Sequence, residues 1–180
     1  MKLWKLFLGG VLIINVFFIS GCDLKKYFDP LWLNSVNFNN RFVEFVDNVS
    51  TIVEESFSIY DATVPDKVNA DSKVDTSDMD LYKQEFELLF TEAEDLKKIK
   101  SRNEKQQVTV LKEFATYIDS LKKYGDKYDD VILYYSSKGF EIDGGKVQIL
   151  NDEINKAFDD FALIHENFVS DVLPAFYKSK

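Results

Sequence analysis

One histidine and one cysteine occur in the 180 residues. That scarcity removes chemistry that depends on clustered imidazole or thiolate groups, such as multi-ligand zinc sites and disulfide frameworks. A di-iron bundle needs paired Glu-x-x-His motifs, and the residue three before His165 is Ala162. Basic side chains are also in short supply, 22 against 31 acidic ones, for a net charge of −9. Nucleic acid is therefore not an expected partner, because its phosphates require a cationic face. Proline (3) and glycine (7) are too few for a loop-rich or collagen-like chain. What the chain does have is apolar bulk: 46% hydrophobic residues, 15% aromatics and 16 Phe. That is enough to build a core, in a chain whose length suits one domain.

The N-terminus is organised differently from the rest. Lys2 and Lys5 open it, an apolar run from Leu6 to Ile19 follows, and the small residues Ser20 and Gly21 precede Cys22. This is the charged, apolar and small-residue order of an export leader, and the run is shorter than a membrane-spanning helix needs. Ile19-Ser20-Gly21-Cys22 resembles the lipobox of bacterial lipoproteins. The resemblance implies cleavage between Gly21 and Cys22 and attachment of acyl chains to Cys22. It further implies a membrane-anchored protein on the exported side, and Asp23 leans toward the inner membrane if the cell has two. With two or more acyl chains, at about 0.8 kcal/mol per buried CH₂, such an anchor is stable. The acidic body would itself be repelled by an anionic lipid surface. The expected organisation is a leader over 1–21, a lipidated tether over 22–33 and a helical domain over 34–180. Pro30 is read as blocking a helix in the tether. Leu31, Trp32 and Leu33 suit either the headgroup level or the base of the core, and the core is favoured.

Beyond the tether, apolar residues recur at three- and four-residue steps. Phe38, Phe42, Phe45, Val49 and Phe57 predict a first helix over 34–60. A polar stretch over 61–77 predicts a loop, whose acids lack the order of an EF-hand. Ser77 or Asp78 would cap a second helix running to about 101, with Leu81, Phe86, Leu89, Ala93 and Leu96 inward. Leu111, Phe114, Ile118, Leu121, Tyr128, Ile132 and Tyr135 predict one long helix over about 105–137, with a possible break at Gly125. Gly144-Gly145 suits a hairpin turn that pairs Phe140 with Ile149 and Ile142 with Val147. Asn151 would cap a last helix, which Pro174 ends. The predicted fold is all-α: an antiparallel bundle of about four helices, with a small β-hairpin over 140–149 before the last one. Small helical envelope lipoproteins of unknown function resemble this layout.

Candidate chemistry is thin. No catalytic residue, metal site or cofactor is expected. His165 reads as a half-buried helix histidine, and Asp159, Asp160, Glu166 and Asp171 as a solvated face. Tyr117, Tyr124, Tyr134 and Tyr135 are candidates for a partner-binding surface, with core seam residues as the alternative. The expected role is a non-catalytic, lipid-anchored module that binds or positions another envelope component. Two alternatives are an exclusion or immunity lipoprotein, and a carrier of an apolar ligand between helices.

Overall fold

A computed structural model describes residues 30–64, 74–99, 104–137 and 144–174. Gly21, Cys22 and the leader lie outside the described residues. So do the side chains of Leu31, Trp32 and Leu33. Four helices follow one another: α1 (Pro30–Thr63), α2 (Ser77–Lys98), α3 (Glu104–Ser136) and α4 (Gly144–Asn167). Helix α4 passes into a π-helical turn over Phe168–Val172.

Cross-helix pairs fix the directions. Tyr82 near the start of α2 bonds Glu55 near the end of α1. Lys83 pairs with Asp129 on α3, and Lys127 on α3 pairs with Glu153 on α4. Each neighbour in sequence therefore runs antiparallel to the last. Helix α4 returns alongside α1, with Phe57 stacked on Phe158 at 3.9 Å and Phe42 tilted against Phe168 at 5.9 Å. The result is an up-down-up-down bundle, as the periodicity predicted. Its four edges are unequal. Backbones approach closely along α1–α2, α2–α3 and α3–α4, whereas α1 and α4 stay further apart and meet through side chains.

The core is a column of rings and branched aliphatics. Phe42, Phe45, Val49, Val53 and Tyr60 from α1 meet Phe114, Tyr117, Leu121, Tyr124 and Tyr128 from α3. Met79, Phe86, Leu89, Ala93 and Leu96 fill it from α2. Ile154, Phe161 and Phe168 fill it from α4 and its π-turn. Burial of these faces stabilises helices whose intrinsic propensity alone would not hold them in water. Leu81, predicted to point inward, is 59% exposed. It lies five residues before Phe86, a step that rotates it well away from the buried stripe.

Several local expectations are corrected. Pro30 does not interrupt a helix but opens one, at the first helical position, where its missing N–H costs nothing and its fixed φ suits the turn. The expected tether is thus helical from residue 30. At the start of α2, Ser77 does not cap. Its own N–H donates to Asp75 Oδ1 at 3.0 Å, while Thr76 occupies the cap position without a side-chain bond. Asp78 and Asp80 in the first turn and Lys97 and Lys98 in the last do complement the helix dipole.

The β-hairpin is absent. Gly144 to Ile149 are the opening turns of α4, and residues 140–143 lie outside the described residues. Val147 and Ile149 alternate like a strand, but Val147, Leu150 and Ile154 follow a helical step and are buried, while Ile149 is 57% exposed. The helical register extends on through Phe161, His165 and Phe168, so a long seam prevails over a short alternation. Asn151, expected as a cap, sits inside α4 and accepts a bond from the Tyr60 hydroxyl at 2.8 Å. At the far end the π-turn, in which Leu173 N–H reaches back to Phe168, directly precedes Pro174. Proline has no N–H to return to a carbonyl one turn earlier, which accounts for loosened pairing there.

Helix α3 runs unbroken through Gly125. A Cβ built there would meet Phe90 Cζ at 3.6 Å and Phe86 Cγ at 3.8 Å, ordinary packing distances. Gly125→Ala is therefore expected to stabilise the fold by about 0.5–1 kcal/mol, through lower backbone entropy in the unfolded chain. Chemical denaturation of the two proteins would show it as a higher midpoint with an unchanged slope.

Candidate functional site

Three of the four tyrosines considered as a partner surface are interior. Tyr117 and Tyr124 are completely buried, and Tyr135 is nearly so. Tyr134 is half-buried, with its ring 5.1 Å from Tyr135 and the Lys146 ammonium 4.9 Å above its face. They belong to the seam because Tyr117, Tyr124 and Tyr135 fall at near-heptad steps of α3, the stripe that faces the other three helices. Tyr117, Tyr124 and Tyr135 therefore carry core packing, the alternative that the sequence offered, while Tyr134 sits at the edge of the seam.

Their hydroxyls are placed unevenly. Tyr124 Oη lies 3.0 Å from Ser56 Oγ, which also donates to the Val53 carbonyl at 2.9 Å. Tyr117 Oη lies 3.0 Å from His165 Nδ1. The hydroxyls of Tyr128, Tyr134 and Tyr135 are buried without a hydrogen-bond partner among the described residues. Burial raises the ionisation of Tyr117, Tyr124 and Tyr128 beyond the usual phenol range, and that of Tyr135 to about 12. All four stay neutral at any ordinary pH. Burying a polar group unpaired is costly, so Tyr128→Phe is expected to hold or raise stability by up to about 1 kcal/mol, whereas Tyr124→Phe loses about the same. Thermal unfolding of the two variants side by side would display the opposite signs.

His165 is the only imidazole and sits where α4 faces α1. It is buried, more deeply than the sequence reading expected, and its ring packs within 6 Å of Tyr117 and Phe161. Desolvation pushes its ionisation down from the ordinary 6.5 to about 4. A cavity of about 10 Å³ adjoins it, lined by Ser50, Val53 and Glu54 of α1 and by Phe158, Phe161 and Ala162 of α4. That space holds one water at most, and a small-molecule pocket is on the order of 300 Å³ or more. Ser50 Oγ donates to Glu54 Oε1 at 3.2 Å, within α1, so no polar pair is directed at His165 across the gap. A nucleophile would have to lie in hydrogen-bond reach of the imidazole, and its one near partner is the Tyr117 phenol, locked as neutral.

The acids on α4 and its π-turn behave as the sequence suggested: Asp159, Asp160, Glu166 and Asp171 are all exposed. Asp66 and Asp71 of the polar loop lie outside the described residues. Asp75 is exposed and held below its usual ionisation range by the Ser77 N–H and hydroxyl. No group of three or more His, Cys, Asp or Glu able to hold a metal occurs among the described residues. Nor is any described helix long and apolar enough to cross a membrane. No protein-family model matches the chain, and searches among curated proteins and among solved structures find no match.

Proposed function

We propose that the chain is a lipid-anchored, non-catalytic envelope lipoprotein whose helical body binds or positions another envelope component. The observation that carries the proposal is Ile19-Ser20-Gly21-Cys22, standing behind a basic start and an apolar run of export length. Cys22 is the lipidation site, and Gly21-Cys22 the cleavage point. The attachment is to the exported face of a membrane, and Asp23 inclines it to the inner one in a two-membrane cell.

The body supports this reading by what it offers. Its interior is filled with rings, its seam cavity is too small for a metabolite, and its lone histidine is bonded to a core tyrosine. Beside His165 the packing of the described residues leaves no room for an apolar ligand. Recognition therefore falls to the outer faces of the helices, and the membrane address to the acylated cysteine.

Cys22→Ala is expected to abolish labelling by radioactive palmitate and to leave an uncleaved precursor, with the body still folded by circular dichroism. A wild-type product that is cleaved yet free of lipid would refute the proposal.

A further inference from the structure

On α2, Leu81 and Leu88 are 59% and 64% exposed and stand seven residues apart, on one stripe of the helix. Glu85 and Glu92 fall on the same stripe, four and eleven residues after Leu81. The stripe lies on the α1 side of α2, because the next residue, Tyr82, gives its hydroxyl to Glu55 of α1 at 3.2 Å. Lys83, a further step round, faces the other way to Asp129 of α3. From α1, this face takes the exposed Glu55 and the half-buried Ile52.

Among the described residues, no cation forms an ion pair with these carboxylates. Helix α1 has neither Lys nor Arg between Phe42 and Thr63. The lysines of α2 are engaged elsewhere, with Asp129, Glu94 and Asp95. Among the described residues, Glu55, Glu85 and Glu92 form no ion pair. A second copy of the chain laid on the same face would set these acids against their own equivalents, and an anionic lipid surface would be repelled in the same way.

We infer that the α1–α2 face, centred on Leu81 and Leu88 and rimmed by Glu55, Glu85 and Glu92, docks a basic amphipathic helix of a partner protein. The aliphatic pair takes the partner's apolar stripe at helical spacing, and the carboxylates take its flanking Lys or Arg. This rests on the reading of the body as a partner-binding module and names the chemistry of that partner.

The test uses the full chain. A labelled 18-residue peptide, with Leu at three- and four-residue steps and Lys on its flanks, is titrated against the protein in zwitterionic detergent, with empty micelles as the blank. Leu81→Ser with Leu88→Ser should weaken binding at least about tenfold, while Leu133→Ser with Leu163→Ser, exposed leucines elsewhere, should change it less than about twofold. Glu85→Lys with Glu92→Lys should weaken it and flatten its salt dependence. In cells, a photo-crosslinker placed at position 88 should capture a basic amphipathic segment, and one at position 163 should not. Equal loss with both leucine pairs, absence of binding, or capture at position 88 of lipid, of a second copy or of an acidic segment would overturn the inference. Palmitate labelling of the same cells separates the two claims. Labelled protein that fails these tests sinks the docking face alone, and unlabelled protein that passes them sinks the anchor alone.

Discussion

Phe114→Ala is expected to remove about 3–5 kcal/mol of stability, the full cost of emptying a buried aromatic site. The ring is wholly inaccessible and sits where three parts of the chain converge. Phe42 approaches it at 4.8 Å, Phe45 edge-on at 5.4 Å, Tyr117 at 6.2 Å and Phe168 at 6.3 Å. These neighbours are stiff rings on α1, on α3 itself and on the π-turn, so they cannot collapse into the space without shifting a backbone. Domains of this kind have only about 5–15 kcal/mol in hand, so the loss is a large fraction of the whole. At a urea slope of about 2 kcal/mol/M, the midpoint should fall by about 2 M. Leu133→Ala, on the outer face of the same helix, should change stability by less than about 0.5 kcal/mol. A Phe114→Ala midpoint within error of wild type would mean that the aromatic column is not the core.

Acid should loosen the fold through His165. The unfolded imidazole titrates at its ordinary 6.5, and burial holds the folded one near 4. Above pH 6.5 both states are neutral and the contribution is complete. Between pH 6.5 and 4 the unfolded chain takes up the proton first, so stability falls with falling pH. Below 4 the loss levels off at about 3 kcal/mol. Tyr117 accepts or donates one bond at Nδ1 but offers no negative charge to offset an imidazolium. Glu54, which lines the adjoining cavity, is exposed and bonded to Ser50. In His165→Gln the slope of stability against pH across this window should shrink by the histidine's share, whatever the variant's absolute stability. Denaturant titrations at pH 7, 6, 5 and 4 measure it, and parallel curves for the two proteins would contradict the assignment.

Most of the helical frame is legible in the sequence because phenylalanine marks it. Phe42, Phe45, Phe86, Phe114, Phe161 and Phe168 recur at helical steps, and every one of them is buried. Where the marking residue is ambiguous, legibility fails. Val147 and Ile149 fit a two-residue alternation as well as a helix, and Gly144-Gly145 suits a turn as well as a helix start. Only the register carried across to Phe161 and Phe168 separates the two. The tyrosines of α3 pose a related difficulty. Their phenols suit a wet surface, yet Tyr117, Tyr124 and Tyr135 lie on the same stripe as Phe114 and Leu121, and position on the helix outweighs the hydroxyl. The α1–α2 face is hidden in the sequence because Leu81 reads as one more inward aliphatic. Its exposure depends on an angular offset from Phe86 that residue type does not disclose. The proposed lipid site is the reverse case: Cys22 is read from a short linear motif, independently of how the helices pack.

The unequal edges of the bundle have a dynamic consequence. Where α1 and α4 meet, the contact is made by rings rather than by closely approaching backbones. Among the described residues, parting these two segments breaks ring contacts and the Tyr60–Asn151 bond and strains the Ser56–Tyr124 pair, but unwinds no helix. The cheapest excursion from the native state is therefore a breathing of the outermost pair in chain order, like a book opening at its covers. The inner pages, α2 and α3, turn together with whichever cover they lie against.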